Sequence, residues 1–224
     1  MAVGPNNSQF SLFFNQSQPG FLSFSPELLQ NNFTNGDGVV LGDLDGDGTL
    51  DIAISSSNSN VISVFLDHSS PHTLNLSFFN QFGTGSGPAG LVAADVNADG
   101  MLDLVEADAR SSTASVLLNT GNASFSFPQQ LNPGLGSVDA VAVGDIDGDG
   151  KPDIVAGGRF SSGVAVLLNR MTAGATSIDF LPAIPFATNG GPFAIRLGDF
   201  DGDGHLDVCT LDQNQSSLSI LLAD

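Results

Sequence analysis

Short apolar runs bounded by Gly, Asn, Ser and Pro recur along this sequence. Val61-Ile-Ser-Val-Phe-Leu66 and Gly163-Val-Ala-Val-Leu-Leu168 are typical, because each is short and rich in β-branched residues. Such runs predict strands rather than helices. Their apolar residues fall on both faces of the strand, which indicates sheets that are packed between two neighbouring layers. We therefore expect an all-β fold.

The runs follow one order that repeats along the chain. A Gly-rich turn precedes a first apolar strand, and an acidic loop, a second strand, a polar turn and a third strand come after it. A fourth strand that contains phenylalanine is predicted to end each unit. The predicted fourth strands are residues 76–79, 124–127 and 178–180. Each unit is therefore expected to form a four-stranded sheet.

The acidic loop is a nine-residue pattern with Asp at positions 1, 3, 5 and 9 and Gly at position 6. Its four copies begin at Asp43, Asp95, Asp145 and Asp199, which are 52, 50 and 54 residues apart. A repeat of that length is typical of propellers or solenoids. The predicted units cover about residues 31–82, 83–131, 132–186 and 187–224. With N-terminal strands at residues 9–26, they form a single domain over 1–224.

The spacing of the carboxylates in each loop is typical of a calcium site. Carboxylates this close repel one another unless a hard cation, which prefers about six to eight oxygen ligands, lies between them. The Gly at position 6 permits the sharp bend, and the backbone carbonyl at position 7 adds an oxygen. About four Ca²⁺ ions are expected. The predicted ligands are Asp43, Asp45, Asp47, Thr49 and Asp51; Asp95, Asn97, Asp99, Met101 and Asp103; Asp145, Asp147, Asp149, Lys151 and Asp153; and Asp199, Asp201, Asp203, His205 and Asp207.

Two other interpretations of the loops are less consistent with the sequence. Solvated acidic turns do not explain four copies in register. An EF-hand needs a bidentate Glu at position 12, where only the second loop has one, Glu106. That second loop also has Asn97 and Ala98 where the other loops have Asp and Gly. We expect it to be the weakest calcium site, because it has one charge less and a stiffer backbone.

The combined pattern resembles the FG-GAP or VCBS repeat family, whose blades build integrin-α-type propellers. The resemblance covers about residues 9–224 and is nearly literal at Phe82-Gly83 followed by Gly87-Pro88-Ala89. It implies an all-β, calcium-bound β-propeller of four-stranded blades, but it implies no single activity. Residues 11–15 and 21–26 align with 115–119 and 125–128, so the N-terminus resembles strands three and four of a blade.

The sequence leaves three arrangements of these units open. They are a compact four-bladed ring, half of a larger ring completed by a second copy of the chain, and a segment of a longer array with seven or eight blades. Closure of a ring removes exposed strand edges, which otherwise invite aggregation. A homodimer that completes a larger ring is therefore one expected partner.

Composition and charge restrict the partners. Hydrophobic residues are 41% and charged residues 13% of the chain, which indicates a folded protein rather than an acidic tail. With a formal net charge of -19 and five scattered Lys and Arg, nucleic acid and membrane insertion are not expected. Weak calcium sites, with dissociation constants on the order of 10⁻⁴ to 10⁻³ M, fill outside cells. An extracellular or cell-surface location is therefore expected, although the N-terminus has no secretory signal pattern.

No catalytic motif is present, and we expect no enzymatic activity. His68 and His72 lie in one turn, where a metal clip is a minor alternative to solvated side chains, and Cys209 has no partner for a disulfide. We expect an adhesion or ligand-binding scaffold for a protein or glycan. Its candidate contact surface is the turns between strands two and three, residues 55–60, 108–113, 157–162 and 212–217, which include Arg110 and Arg159. The alternatives are a calcium-dependent lectin, which would lack Trp and Tyr for stacking on sugars, and a structural spacer.

Overall fold

The structure is a computed structural model, and it describes residues 2–3, 10–13, 15–25, 28–30, 36–70 and 75–223. His72 lies outside these residues. Within them the backbone forms strands, turns and loops without a helix, as the apolar runs predict. Accordingly, the described residues include no helix that is long and apolar enough to span a membrane.

Four antiparallel sheets succeed one another along the chain, and strand order within each matches sequence order. The first sheet contains β4 (Gly36–Gly42), β5 (Asp51–Ser56), β6 (Val61–Asp67) and β7 (Leu76–Gly83). The second contains β8 (Pro88–Ala94), β9 (Asp103–Asp108), β10 (Thr113–Leu117) and β11 (Gln129–Leu131). The third contains β12 (Ala140–Gly144), β13 (Asp153–Gly157), β14 (Gly163–Leu167) and β15 (Ile184–Ala187). The fourth contains β16 (Pro192–Gly198), β17 (Asp207–Asp212) and β18 (Ser217–Leu221).

A smaller sheet precedes these four. It contains β1 (Ala2–Val3), β2 (Phe10–Leu12) and β3 (Leu28–Gln30), and we call it the N-terminal sheet. Leu12 packs on a cluster of the first sheet made by Ile52, Ile54 and Phe65. The N-terminal sheet therefore lies against the first sheet, on the side away from the second.

The phenylalanine segments of the second and third sheets are not the predicted fourth strands. Residues 124–127 and 178–180 instead make one isolated bridge each, Asn119 to Phe125 and Asn169 to Phe180. The fourth strands are formed later, by β11 and β15. The reason is a reversal of the chain after the third strand, where Gly121 has φ of 101° and Gly174 has φ of 72°. We call residues 119–125 and 169–180 the phenylalanine turns.

Consecutive sheets pack face to face through apolar clusters. One cluster joins the first sheet to the second, another joins the second to the third, and another joins the third to the fourth. The first strands β4, β8, β12 and β16 contact one another in that order, whereas β16 and β4 make no comparable contact. The described sheets thus form an all-β, propeller-like arc that does not return to its first sheet.

In each of the first three sheets, one row of third-strand side chains faces the next sheet. In the first sheet it is Ile62, Val64 and Leu66, which are buried against the second sheet. The corresponding row of the second sheet packs against the third, and that of the third against the fourth. Residues two apart in a strand share a face, so this row results from the alternation in β6, β10 and β14.

Candidate metal centres

Each acidic loop is the connection between the first and second strands of its sheet. Two of its residues, at positions 4 and 6, have a left-handed backbone in all four copies. In the first loop these are Gly46 with φ of 86° and Gly48 with φ of 88°. Glycine adopts this conformation without the steric cost that a Cβ brings. The curled backbone brings side chains at alternate positions close together in three of the four loops.

The aspartate at position 1 holds the loop closed. In the first loop Asp43 Oδ1 accepts a hydrogen bond of 2.8 Å from the Gly46 amide, and Oδ2 accepts one of 2.9 Å from Gly48. Asp145 and Asp199 accept the same pairs of bonds in the third and fourth loops. Backbone amides therefore orient both oxygens of each of these carboxylates.

The carboxylates converge in three of the four loops. One oxygen from each of three side chains lies within 4.8 Å of the others in Asp43, Asp45 and Asp51; in Asp145, Asp147 and Asp153; and in Asp199, Asp201 and Asp203. Two oxygens on opposite sides of one Ca²⁺ lie about 5 Å apart, since each Ca–O distance is about 2.3–2.6 Å. These donor sets therefore fit a shared hard cation. The carbonyl ligands predicted at position 7 stay a prediction.

The aspartate at position 9 is completely buried and accepts hydrogen bonds from backbone amides in every loop. Its carboxylate also belongs to the three-membered cluster in the first and third loops, but not in the second and fourth. In the third loop, Asp153 Oδ2 accepts a hydrogen bond of 2.8 Å from Ile146 N at position 2, and Oδ1 accepts one of 2.8 Å from Asn169 N. Burial raises the pKa of Asp153, and that of Asp103 to about 6. Position 9 thus joins the start of the loop to the end of the third strand.

Two asparagines connect neighbouring loops, and the sequence pattern did not predict this role for them. Asn119 Nδ2 donates to Leu44 O of the first loop at 2.8 Å and to Leu102 O of the second at 3.1 Å. Asn169 Nδ2 donates to Val96 O and to Pro152 O, both at 2.8 Å. Both side chains are buried. The sequence does contain a signal for this role, because Leu-Leu-Asn is repeated at the end of both third strands.

The second loop differs from the others. Its carboxylates do not form a three-membered cluster among the described residues. Asn97 Nδ2 donates to Asp99 Oδ2 and to Ala175 O of the third unit's phenylalanine turn, both at 3.0 Å, so Asn97 offers an ion only its neutral Oδ1. At position 4, Ala98 has φ of 53°, which an L-residue rarely adopts. These features are consistent with a weaker calcium site.

Replacement of that alanine by glycine should stabilise the protein. The Ala98→Gly variant is expected to gain up to about 1 kcal/mol in free energy of unfolding, because the left-handed conformation costs a Cβ-bearing residue about that much. Urea unfolding measures the difference. In the matched control Ala173→Gly, which changes an exposed loop alanine without positive φ, stability should stay equal or fall. A loss of stability in Ala98→Gly would show that its backbone is not strained.

His68 lies beside the first loop rather than forming a separate site. Its Nδ1 is 3.1 Å from Asp47 Oδ2, and both side chains are partly exposed. One atom each of Asp45, Asp47 and His68 lies within 4.8 Å of the others. Through this contact, the His68 ring lies next to the predicted calcium site. The clip with His72 stays a prediction, since His72 lies outside the described residues.

Glu106, at position 12 after the second loop, does not face that loop. It is fully buried in β9, and its Oε1 accepts hydrogen bonds of 3.0 Å from Ala89 N and from Gly90 N of β8. Burial raises the pKa of Glu106 to about 8, and the charge of Asp108 adds to the shift. The EF-hand interpretation has no support here, because the carboxyl that would close such a site binds the first strand of its own sheet.

The raised pKa of Glu106 predicts that stability falls with pH. Between its unfolded value of 4.5 and its folded value of about 8, the folded state binds more protons than the unfolded state. Stability is then greatest below pH 4.5 for this group and is lost as pH rises through about 8, by an amount on the order of 5 kcal/mol. Glu106→Gln should flatten this slope in calcium-saturated protein between pH 6 and 9, measured by urea unfolding.

The matched control for Glu106→Gln removes an exposed charge. Asp179→Asn changes a half-exposed carboxylate that pairs with Arg170 on the surface, so the pH slope should stay as in the parent protein. Burial also raises the pKa of Asp108, to about 6, so part of the pH dependence should remain in Glu106→Gln. An unchanged slope in Glu106→Gln would contradict the assignment.

The turns between second and third strands lie at the end of the sheets opposite the metal loops, because adjacent strands are antiparallel. Arg110 Nη1 donates to Ser57 O at 3.1 Å, which joins the turns of the first two sheets. Arg159 Nε lies 3.4 Å from Asp139 Oδ1, and Phe160 beside it is 83% exposed. Both arginines therefore have a polar partner within the chain, and the surface beside them has charged and apolar side chains.

Comparison with known proteins supports the repeat pattern. The model of the FG-GAP-like repeat matches residues 95–156 and 145–210, which together span just over half of the chain. A search of curated proteins finds no match.

Solved structures share the fold at low sequence identity. The crystal structure of the V. cholerae biofilm matrix protein Bap1 is similar with a TM-score of 0.57 and 18% identity over 98% of this chain. A structure of BBS1N in complex with ARL6DN is similar with a TM-score of 0.52 and 14% identity over 84% of this chain. The chain covers 34% and 57% of the lengths of those two chains. At such identities the similarity bears on the fold alone.

Proposed function

The chain belongs to the FG-GAP-like repeat family, and on that premise we propose that it is a calcium-binding, extracellular scaffold for adhesion or ligand binding. The observation that carries this proposal is the convergence of three carboxylates in three separate loops. Oxygen-only donor sets suit Ca²⁺, and the left-handed glycines give these loops the curvature that such a site needs. Positions 1, 3, 5, 7 and 9 of each loop would hold the ion.

Calcium in these loops has a structural role in this proposal. The positive charge offsets the repulsion between the carboxylates and fixes the loop. The loops are connected to their neighbours, since Asn119 and Asn169 bind the carbonyls of two successive loops. An ion that orders one loop therefore also stabilises the packing of the next sheet.

An extracellular location is the consequence of the expected affinity. Exposed loops with three or four carboxylates bind calcium with dissociation constants on the order of 10⁻⁴ to 10⁻³ M, and calcium reaches that concentration outside cells. A similar fold in a biofilm matrix protein is consistent with this location. In this proposal the function is binding rather than catalysis, since the buried carboxylates serve as structural acceptors. Asp153 and Glu106 accept hydrogen bonds from backbone amides, and Asp108 and Asp212 accept them from hydroxyl groups.

The contact surface in this proposal is the end that carries the turns between second and third strands. Variable turns on a rigid scaffold are common binding surfaces. Here they present the exposed Phe160 beside Arg159, with Arg110 in the equivalent turn of the second sheet. An aromatic ring next to cationic groups suits an anionic glycan or an acidic segment of a protein.

A binding screen tests this function. The protein is applied in millimolar calcium, and then with chelator, to an array of immobilised glycans and to a panel of purified extracellular matrix proteins. We expect a calcium-dependent interaction that Arg110→Ala/Arg159→Ala weakens at least tenfold. Arg170→Ala is the matched control, because it removes a similarly exposed arginine away from these turns. No binding on either surface would favour the structural spacer.

A further inference from the structure

The fourth sheet ends in an uncovered apolar face. Its third-strand row is Leu218, Ile220 and Leu222, with exposures of 56%, 48% and 56%. The equivalent row of the first sheet is Ile62, Val64 and Leu66, with exposures of 0%, 0% and 8%. The rows differ in exposure because another sheet covers each of the first three. We call Phe200, Leu218, Ile220 and Leu222 the open face.

The side chains that pack on the row of the first sheet show what kind of surface can bind such a face. Ala123 and Phe125 of the second sheet's phenylalanine turn pack in the cluster that contains this row. The ring of Phe125 meets Phe82 of the first sheet edge to face, with ring centroids 5.1 Å apart. Leu44, at position 2 of the first metal loop, completes the contact. A small residue and a phenylalanine two positions apart thus fit this type of face.

The N-terminal sheet carries a third copy of the phenylalanine turn. Asn15 bridges to Phe24 as Asn119 bridges to Phe125. The amide of Gln16 donates to Ser23 O at 2.8 Å, and the amide of Thr120 donates to Ser124 O at 2.7 Å. Gly20, with φ of 79°, reverses the chain in the same way. We call residues 15–25 the N-terminal turn.

This N-terminal turn has an exposed apolar surface. Leu22 is 75% exposed and Phe24 is 54% exposed, whereas the equivalent Ala123 and Phe125 are 0% and 9% exposed. Phe13 on the same side of the sheet is 48% exposed, although its counterpart Leu117 is fully buried. Large apolar side chains that are exposed here, where their counterparts in the second sheet are buried, indicate an interaction site.

We propose that the open face of the fourth sheet binds the N-terminal turn of a second copy of this chain. The two surfaces correspond to the two sides of the contact that joins successive sheets within the chain, except for Phe82, because its strand β7 has no counterpart in the three described strands of the fourth sheet. Phe24 would pack on Ile220 and Phe200, as Phe125 packs on the row of the first sheet. None of the side chains in the contact is charged. The charges that make up the net charge of -19 therefore lie outside the contact.

The proposed contact is head-to-tail, because the two surfaces lie on different ends of the arc. Two such contacts related by a twofold axis close a ring of two copies. The contact continues the packing between sheets, and it places the N-terminal sheet of one copy after the fourth sheet of the other. This inference is independent of the proposed ligand and of the number of bound ions.

Light scattering after size exclusion, in calcium and about 0.15 M salt, tests the contact. The parent chain is expected to run at twice the mass of 22.9 kDa at high concentration. Phe24→Asp disables the N-terminal turn, Ile220→Asp disables the open face, and each is expected to be a monomer. The matched control Phe160→Asp changes an exposed phenylalanine outside both surfaces and should remain a dimer.

A mixture of the two monomeric variants separates this contact from any symmetric one. Phe24→Asp keeps an intact open face and Ile220→Asp keeps an intact N-terminal turn, so one head-to-tail contact forms and a one-to-one dimer is expected. If the contact instead joined two identical surfaces, mixing the two variants would not restore a dimer. A monomeric parent, or a mixture that stays monomeric while both variants retain the parent's melting temperature, would overturn the proposal.

Discussion

Removal of calcium is expected to lower the midpoint of thermal unfolding by roughly 10–20 °C. Calcium at about ten times its dissociation constant contributes on the order of 1.4 kcal/mol per site, or about 5–6 kcal/mol over four sites. For a chain of 224 residues, 1 kcal/mol corresponds to about 2–4 °C. The effect is large because the loops connect the sheets as well as binding the ion. Circular dichroism in millimolar calcium and then in excess chelator measures the shift.

Two controls test whether the effect is specific to calcium. Calcium added back after chelation should restore the midpoint, whereas magnesium at the same concentration should restore much less of it. Magnesium is smaller and demands octahedral geometry, which three crowded carboxylates on one curled loop do not offer. An equal effect of both ions would indicate simple screening of the net charge of -19 rather than specific sites.

Loss of a position-9 aspartate is expected to destabilise the protein both with and without calcium. Asp153→Ala removes the acceptor of a buried hydrogen bond from Asn169 N and of a partly buried one from Ile146 N. With both amides unpaired, we expect a loss of about 3–5 kcal/mol in calcium. Without calcium the loss should be smaller, because burial already raises the pKa of this carboxyl and makes its charged form less favourable. Urea unfolding in both conditions measures the two values.

The matched control lies at position 5 of the same loop. Asp149→Asn changes a partly exposed carboxylate that accepts hydrogen bonds from Lys151 N and Lys151 Nζ. It should lower calcium affinity while leaving the calcium-free protein nearly as stable as the parent. If the two variants behaved alike in chelator, position 9 would have no structural role of its own.

Local sequence predicted most of the sheets and loops, because each rests on short-range rules. The alternation of apolar residues determined β6 and β14, and the nine-residue spacing determined the loop at Asp43. The resemblance to the FG-GAP repeat family was confirmed by the family match. These features depend on neighbours within about ten residues, so a single sequence contains them.

Features that depend on contacts between sheets were not predicted. The phenylalanine turn was mistaken for a fourth strand, since Phe125 has a strand-like sequence but packs on the first sheet. The role of Asn169 depends on Val96 O, a partner 73 residues away in sequence. Burial of Glu106 likewise depends on where β8 and β9 meet rather than on its distance to the second loop.

Counting bound calcium tests the central claim most directly. Equilibrium dialysis of metal-free protein against calcium is expected to show about four ions per chain at saturation, with the second loop filling last. Asp145→Ala should remove one ion, since Asp145 fixes the third loop through Gly148 and Gly150. Binding of fewer than one ion per chain at millimolar calcium, or an unchanged count in Asp145→Ala, would contradict the assignment of the acidic loops as calcium sites.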